Sequence, residues 1–190
     1  MKDEGTIDVL HMEEQALVAG CVQGKSLYQR KMYEKYAPKM LGLCMRYAGD
    51  KEAARDLLHD GFIRLFEKIK TYKGEGSLEG WIKKVFITTA LEHLRKNKHD
   101  VMNDYKEYST TDPELSHSAI EQMSANELMD MIAMLPEGFR TIFNLYVIEG
   151  YSHQEIAKLL NIQEVTSRSQ YMRARTSLQE MIKKKQGNGR

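Results

Sequence analysis

The stretch GYSHQEIAKLLNIQEVTSRSQYMRAR, residues 150–175, decides how the C-terminal part of the chain folds. Ser152 and Glu155 have the Ser-x-x-Glu spacing of a capping box, which predicts the N-terminus of a short helix. Asn161 tolerates the left-handed backbone conformation and therefore predicts a tight turn after that helix. A longer basic helix is expected from about Glu164 to Ile182. This order of elements predicts a helix-turn-helix motif, in which the second helix enters the major groove of DNA.

The second helix of this motif is expected to have a core face and an outer face. Helical spacing places Ser167, Tyr171, Ala174 and Leu178 inward. The outward residues are Glu164, Val165, Arg168, Ser169, Met172 and Arg175, with Arg173 beside them. Arginine suits phosphate or guanine contacts, and serine suits a phosphate oxygen. An ordinary pair of packed helices would have the same apolar pattern, but the capping box, the turn asparagine and the arginine-rich helix together favour DNA binding.

Two further helices are predicted just before this motif. The first carries Leu128, Met131, Ile132 and Leu135 at helical spacing and is stopped by Pro136, which fits the first turn of a new helix. The apolar residues of that new helix are Phe139, Ile142, Phe143, Leu145, Tyr146 and Ile148. It ends at Gly150, which suits a left-handed C-terminal cap.

The whole chain reads as an all-α protein of two small domains. Its 190 residues include only three prolines, and no window shows the alternating apolar pattern of a strand. The segment around residues 97–122 is polar and acidic without apolar periodicity, which is typical of a linker between domains. The predicted organisation is an N-terminal extension at 1–24, a first helical domain at 25–97, an acidic linker at 98–122, a second helical domain at 123–185 and a tail at 186–190.

Three helices are predicted in the first domain. The first, from about Lys25 to Tyr47, is expected to bury Leu27, Tyr28, Met32, Tyr36, Met40, Leu43, Cys44 and Tyr47. Gly49-Asp50 ends it. The third helix is capped by Ser77 and runs from Leu78 to about Lys96. It has apolar residues on opposite sides and a basic fringe, which predicts packing on more than one side with cations reaching solvent or phosphate.

The helix between these two, built around Ala54 to Ile69, has an unusual outer side. Acidic and polar residues converge there around one exposed isoleucine, Ile63: Glu52, Asp56, His59, Asp60 and Glu67. An apolar centre with an acidic rim is a pattern found in interfaces. A solvated helix face with a single stray isoleucine is the alternative.

Charge and residue counts exclude several other classes of protein. The formal net charge is +1, yet residues 100–130 hold eight acidic residues against one basic residue, and the basic residues collect near Lys83 to Lys98 and Arg168 to Lys185. This segregation fits two separate surfaces that face nucleic acid. Neither Cys21 and Cys44 nor the histidines have metal-ligand spacing, so no metal or other cofactor is expected. No enzyme motif or membrane-spanning stretch appears, which predicts a cytoplasmic protein that is neither an enzyme nor inserted in a membrane.

The chain from about Leu27 to Ile182 resembles an extracytoplasmic-function (ECF) sigma factor of the sigma-70 family. The stretch AARDLLHDGFIRL, residues 53–65, is similar to the polymerase-binding helix of sigma region 2. Residues 76–82 and 89–96, GSLEGWI and TALEHLRK, are similar to the helix that opens and reads the minus-ten element. Residues 135–140, 150–157 and 173–175 are similar to region 4, which reads the minus-thirty-five element.

This resemblance implies partners and roles for particular residues. Core RNA polymerase and promoter DNA are the expected partners, together with an anti-sigma factor. The expected polymerase-binding residues are Asp56, His59, Asp60 and Ile63. The expected DNA-binding residues are Lys83, Lys84, Thr88, Arg95 and Lys96 in region 2 and Val165, Thr166, Arg168, Ser169 and Arg173 in region 4. Thr88 stands where the family often has asparagine, and Val165 stands where it usually has glycine.

A second function stays open from the residues themselves. An autonomous helix-turn-helix regulator would bind a duplex operator alone, usually as a dimer. The sequence shows no heptad seam or other dimerising helix, and a regulator of that kind would leave the acidic helix around Ile63 unexplained. A structural adaptor of two helical bundles would leave the basic fringes unexplained.

Overall fold

The computed structural model describes residues 4–96 and 124–187, with side chains for residues 12–95, 124 and 127–185. These residues contain no strand, which confirms the predicted all-α class. The α-helices are α1 Glu4–Val22, α2 Ser26–Ala48, α3 Lys51–Lys68, α4 Leu78–Lys96, α5 Ala125–Ala133, α6 Glu137–Phe143, α7 His153–Leu160 and α8 Glu164–Gly187. A short 3-10 turn, Ile69–Thr71, follows α3, and a π-helical turn, Asn144–Ile148, follows α6.

The chain divides into two compact units. The first holds α1, α3, α4 and α2 as far as Cys44, and the second holds Met45–Asp50 together with the helices from α5 onward. The predicted linker at 98–122 lies outside the described residues, as do the last three residues of the predicted tail. The predicted domain limits therefore stay predictions at those points.

In the first unit, α3 and α4 pack closely through aromatic side chains. The rings of Phe62 on α3 and Phe86 on α4 meet edge to face, with centroids 5.3 Å apart. Gly61 makes this approach possible, because a Cβ atom there would lie only 2.2 Å from Cε1 of Phe86. Helix α4 is packed on more than one side, as predicted, and its buried residues include Leu78, Ile82, Phe86, Ile87, Ala90 and Leu91.

Helix α1 belongs to the packing of the first unit. Its Leu17 and Cys21 are buried, and the carboxylate of Glu14 accepts a hydrogen bond of 3.3 Å from the hydroxyl of Tyr36 on α2. Gly20 lies directly under the ring of Tyr28, with no space for a side chain. Residues 12–22 of the predicted N-terminal extension are therefore packed on α2.

Most of the predicted core of α2 is buried, but Leu27 is a correction. Met32, Tyr36, Met40 and Leu43 are almost fully buried, whereas Leu27 is 60% exposed. At 100° per residue Leu27 lies about 140° around the helix from Met32, so it points away from the buried stripe. The three-and-four spacing of apolar residues therefore assigned Leu27 to the wrong side of the helix.

The second unit is organised around the contact between α5 and α8. Its buried cluster contains Met131, Ile132 and Leu135 from one side and Ala174, Leu178 and Ile182 from the other. Phe139, Phe143 and Ile148 pack against this cluster and are partly buried. The pattern confirms the predicted inward face of α8, which also includes Ser167 with no exposed surface.

A buried arginine holds the corner between α5 and α6. Arg140 on α6 donates hydrogen bonds from Nη1 to the carbonyl oxygens of Ala133 and Leu135, at 2.9 and 3.1 Å. Ala133 is the last residue of α5 and Leu135 follows just beyond it, where carbonyl oxygens have no N–H donor within the helix. The Arg140 guanidinium thus donates to carbonyl groups that lie beyond the hydrogen-bonded part of α5.

Both cysteines, Cys21 and Cys44, are buried, and they form no disulfide. Among the described helices, none combines the length and the apolar character needed to cross a bilayer.

The close approach at Gly61 predicts a large effect from a small substitution. Gly61→Ala should lower the free energy of unfolding by about 1–3 kcal/mol, because Phe86 is fully buried and cannot move aside freely. Gly42→Ala on α2 is the matched control, since a Cβ atom there meets nothing within 4 Å. It should raise stability by up to about 1 kcal/mol. Denaturant unfolding of both variants checks this, and equal stabilities would show that α3 and α4 are not so close.

Candidate functional site

The outer side of α3 presents the acidic face expected from the sequence. Asp56, His59 and Asp60 are exposed, and Ile63 is 47% exposed while its neighbours Phe62 and Leu65 are buried. The face therefore offers apolar surface bordered by carboxylates. A partner with basic and apolar side chains would complement it.

A shallow groove runs beside this face between α3 and α4. It is lined by Asp60, Ile63, Arg64, Glu67, Thr89, Glu92 and His93. Arg64 of α3 and Glu92 of α4 form an ion pair across it. The groove thus adds residues of α4 to the surface around Ile63, which the periodicity of α3 alone could not reveal.

The basic fringe of α4 is divided between two sides of the helix. Lys84, Thr88 and Arg95 are exposed and follow one another along one side, because steps of four and seven residues return to nearly the same direction. The hydroxyl of Thr88 donates to the carbonyl oxygen of Lys84 at 2.8 Å, which leaves its lone pairs to accept hydrogen bonds. This side can contact phosphates and bases together.

Lys83 does not join that row. It lies about 140° around the helix from Thr88, and its Nζ is 3.6 Å from the carboxylate of Glu79. Glu79 also accepts a 2.5 Å hydrogen bond from Lys39, and this bond lowers the pKa of its carboxyl group. Lys96 is the last residue of α4, but its side chain lies outside the described residues.

The helix-turn-helix is built by α7 and α8 with the predicted capping and turn. Ser152 and Glu155 form a complete capping box, in which the backbone N–H of Ser152 donates to the Glu155 carboxylate at 2.8 Å. Hydrogen bonds from the backbone and side chain of Ser152 lower the pKa of Glu155. Asn161 has φ 53° and ψ 52°, the left-handed conformation predicted for the turn.

The outer face of α8 separates into a centre and a flank. Val165, Arg168 and Ser169 are exposed on one side, and Val165 exposes 64% of its surface. Thr166 and Arg173 are partly exposed and lie roughly 90° around the helix, seven residues apart and in line with each other. Residues in the centre can reach into a groove, whereas those on the flank are placed for the backbone of the duplex.

Two features of the helix-turn-helix were not predicted from the sequence. The Arg168 guanidinium is held by the carboxylate of Glu164, with Nη2 at 2.5 Å and Nε at 3.1 Å from Oε1. The ring of His153 is buried between α7 and α8 and contacts Ser167. The i,i+4 spacing of Glu164 and Arg168 carried the first signal, but a buried histidine cannot be distinguished from an exposed one by its position after a capping residue.

Comparison with known proteins gives the same two regions. The family model for sigma-70 region 2 matches residues 32–99, and the model for sigma-70 region 4 matches residues 125–178. The chain belongs to the sigma-70 family, in its ECF group. It is therefore a transcription initiation factor that directs promoter-specific initiation by core RNA polymerase, and it is not an enzyme. The region 2 match also favours this function over an autonomous helix-turn-helix regulator.

Individual sigma factors resemble the chain along most of its length. The ECF RNA polymerase sigma-E factor of Haemophilus influenzae is 25% identical over 186 residues, covering 90% of this chain and 96% of that protein. The RNA polymerase sigma-H factor of Pseudomonas aeruginosa is 28% identical over 181 residues, covering 90% and 94%. Among solved structures, the sigma factor RpoE of Bartonella quintana, in complex with the anti-sigma factor NepR, has a TM-score of 0.51. It is 18% identical and covers 81% of this chain and 96% of its own, which supports the sigma-factor fold.

The left-handed backbone in the turn of the sigma factor's helix-turn-helix predicts that alanine and glycine at position 161 change the stability by different amounts. Asn161→Ala should lower the free energy of unfolding by about 1 kcal/mol, because alanine has a Cβ atom that disfavours φ of 53° and lacks the short polar side chain that can form a local hydrogen bond. Asn161→Gly should leave it nearly unchanged, since glycine adopts positive φ without steric cost. Denaturant unfolding of the two variants measures the difference. Equal losses in both would mean that the asparagine side chain, and not the backbone conformation, determines the stability of the turn.

Proposed function

We propose that this sigma factor binds core RNA polymerase through the exposed face of α3 formed by Asp56, His59, Asp60 and Ile63. The observation that supports this role is the half-exposed Ile63 within an acidic surround. Burying an isolated apolar side chain against a partner is favourable, and the carboxylates select a basic partner surface. The neighbouring groove toward α4 extends the same surface.

We propose that α4 opens and reads the minus-ten element with Lys84, Thr88 and Arg95. Their placement in one exposed row supports this role, because separated strands need cations along the phosphate path and polar groups beside the bases. Lys83 and Lys96 remain predicted contributors. Lys83 would have to leave Glu79 to reach phosphate, and that exposed ion pair is worth little, about 0–1 kcal/mol.

We propose that α8 reads the minus-thirty-five element with Val165 and Arg168, while Ser169, Thr166 and Arg173 contact the backbone. The methyl groups of Val165 can pack against the methyl group of thymine, and a guanidinium can pair with guanine in two hydrogen bonds. Arg168 must exchange Glu164 for DNA to do this. The proposed contacts thus separate sequence reading from positioning on a single helix.

We also propose an anti-sigma factor as a regulatory partner and the cytoplasm as the place of action. The solved Bartonella quintana relative is held by an anti-sigma factor, and the ECF resemblance implies one for this chain. Core polymerase and chromosomal promoters lie in the cytoplasm of bacteria, so a sigma factor acts there. A pull-down from cells with the full chain as bait tests both core polymerase and inhibitor together.

Reversing charge on α3 should weaken polymerase binding without unfolding the protein. Asp60→Arg or Ile63→Asp should each reduce affinity for core polymerase by roughly 2 kcal/mol, because one opposes a basic partner and the other buries a carboxylate. Glu75→Arg is the matched control, since it makes the same charge change at an exposed turn. Binding is measured by titration of labelled core polymerase, with circular dichroism to confirm helicity. Native affinity in both α3 variants would refute this interface.

Substitutions on α8 should separate preference from general affinity. Arg168→Ala and Val165→Gly should change which minus-thirty-five elements are used, with shifts of about 1–3 kcal/mol at individual bases. Arg173→Ala should weaken all elements alike, because phosphate contacts carry no sequence information. Lys183→Ala, farther along the same helix, controls for loss of one positive charge.

The measurement is run-off transcription by the reconstituted holoenzyme on a library of minus-thirty-five elements. Indistinguishable profiles for Val165→Gly, Arg168→Ala and Arg173→Ala would show that the proposed orientation of α8 on DNA is wrong.

A further inference from the structure

His153 joins the two helices of the helix-turn-helix by a buried hydrogen bond. It is the first residue of α7, immediately after the capping Ser152, and only 7% of its surface is exposed. Its Nδ1 lies 2.9 Å from the hydroxyl oxygen of Ser167, which has no exposed surface and lies in the first turn of α8. The bond therefore links the start of the first helix to the start of the recognition helix.

Aromatic neighbours fix the plane of the His153 ring. The ring stacks on Tyr146 with centroids 4.2 Å apart and an interplanar angle of 13°. Tyr171, one turn beyond Ser167 on α8, approaches the same ring at 5.8 Å and 55°. The two tyrosine rings also contact each other, with centroids 4.7 Å apart. With its plane set in this way, the imidazole can direct Nδ1 only along a narrow range toward α8.

A directional bond matters at this place because the inward residue of the first turn is small. Apolar contacts hold α8 through Ala174, Leu178 and Ile182, which lie two to four turns farther along the helix. Such contacts are not directional. Near Val165 and Arg168, the bond to Ser167 is thus a directional contact that resists rotation of α8 about its own axis, beside the ring contacts of Tyr171.

The size of such a rotation is sufficient to affect base reading. A turn of about 20° displaces an atom at about 6 Å from the helix axis by about 2 Å. A binding site needs its groups held within about 0.5 Å and 10–20° of the productive geometry. Val165, Arg168 and Ser169 lie on the side of the helix opposite Ser167, so their positions follow any rotation of that turn.

We propose that His153 is a positioning residue for promoter recognition: its bond to Ser167 sets the rotation of α8 and so sharpens discrimination among minus-thirty-five elements. This inference rests on the proposed reading of that element by α8. His153 itself is buried and does not contact DNA. Its effect is therefore on the selectivity of the holoenzyme and not on a direct base contact.

The arrangement favours a neutral imidazole. In the neutral ring Nδ1 accepts from the Ser167 hydroxyl or donates to it, depending on the tautomer, whereas protonation would place a positive charge on a buried ring near Arg168. The charged groups near the ring are Arg168 and Glu164, both on α8. Burial and then Arg168 lower the pKa of His153 below its ordinary 6.5, against an opposing effect of Glu164.

The sign of the pH dependence follows from this direction. A histidine whose pKa is lower in the folded protein binds its proton more readily in the unfolded chain. Its contribution to the folded arrangement is complete above pH 6.5 and is lost as the pH falls through the lower folded value. Discrimination should therefore fall on acidification.

The experiment compares two promoters that differ by one base of the minus-thirty-five element, transcribed in the same tube by the reconstituted holoenzyme. The measured quantity is the ratio of their transcripts from about pH 8 to about pH 5.5, so that effects of pH on polymerase itself cancel. His153→Phe keeps the aromatic stack and removes the bond, and Ser167→Ala removes it from the other side. Each should lower the ratio about three- to tenfold at neutral pH, and the double variant should lower it no further.

Two further variants distinguish positioning from a merely structural effect. His153→Asn places a hydrogen-bonding atom near the position of Nδ1 and should restore most of the ratio, without the fall on acidification. Ser177→Ala removes a hydroxyl from another buried position of α8 and should leave the ratio unchanged. Thermal unfolding confirms that each variant is folded.

Several outcomes would overturn the inference. These are a native ratio in folded His153→Phe and Ser167→Ala, an equal loss on both promoters, or the same pH dependence in wild type and His153→Asn. Failure of the proposed reading itself would appear differently, as unchanged library profiles in Val165→Gly and Arg168→Ala. If those two variants alter the profile while His153→Phe does not, only the role of His153 is refuted.

Discussion

The packing of α8 against α5 is the interaction on which the second unit depends. One helix supplies both the core of this unit and the surface that faces DNA, so its inward stripe has to be narrow and correctly placed. Ala174, Leu178 and Ile182 occupy that stripe and meet Met131, Ile132 and Leu135. Each large apolar side chain buried there stabilises the unit by roughly 1.5–3 kcal/mol relative to exposure. This burial determines which residues of α8 can point outward, because the helical period leaves the residues opposite the stripe on the exposed side. The finer rotation of its first turn is the part that we assign to the bond between His153 and Ser167.

The first unit solves a different problem with α4. This helix buries residues around most of its circumference and still exposes Lys84, Thr88 and Arg95 in one row. Close contact with α3 at Gly61 allows the burial without a bulky interface, and the side chains of Phe62 and Phe86 fill the remaining space. Because α4 is enclosed in this way, its exposed row is held by rigid packing, and a rigid row of cations and a hydroxyl suits work on separated DNA strands.

Much of this arrangement could be predicted from local sequence signals. The capping box at Ser152, the turn at Asn161 and the glycine at position 150 specify backbone geometry through their own chemistry, and all three adopt it. The acidic face of α3 followed from helical period alone. Leu27 was placed wrongly because it lies about 140° around α2 from Met32 and so points away from the buried stripe, although its neighbour Tyr28 packs on Gly20 of α1. The π-helical turn at Asn144–Ile148 was not predicted either, because the apolar pattern of residues 139–148 is that of a continuous helix.

The contacts that could not be predicted are those between side chains that are far apart in the sequence. His153 and Ser167 are fourteen positions apart and meet only because the turn between α7 and α8 brings them together. Arg140 is similar, since its buried guanidinium donates hydrogen bonds to the carbonyl oxygens of Ala133 and Leu135, which precede its own helix.

Burial also explains why Arg168 can exchange its partner when DNA approaches, whereas Arg140 cannot. Arg168 is paired with Glu164 in an exposed position, with 62% of its side chain accessible, so the pair is worth at most about 1 kcal/mol and its release costs little. A charge-assisted hydrogen bond to guanine or phosphate, formed in a groove from which water is excluded, is stronger than this exposed pair. Arg140 is only 8% exposed, and removing it would leave buried carbonyl groups without donors. The same residue type is therefore exchangeable on α8 and fixed on α6, and the difference lies in the solvent around it and not in the side chain.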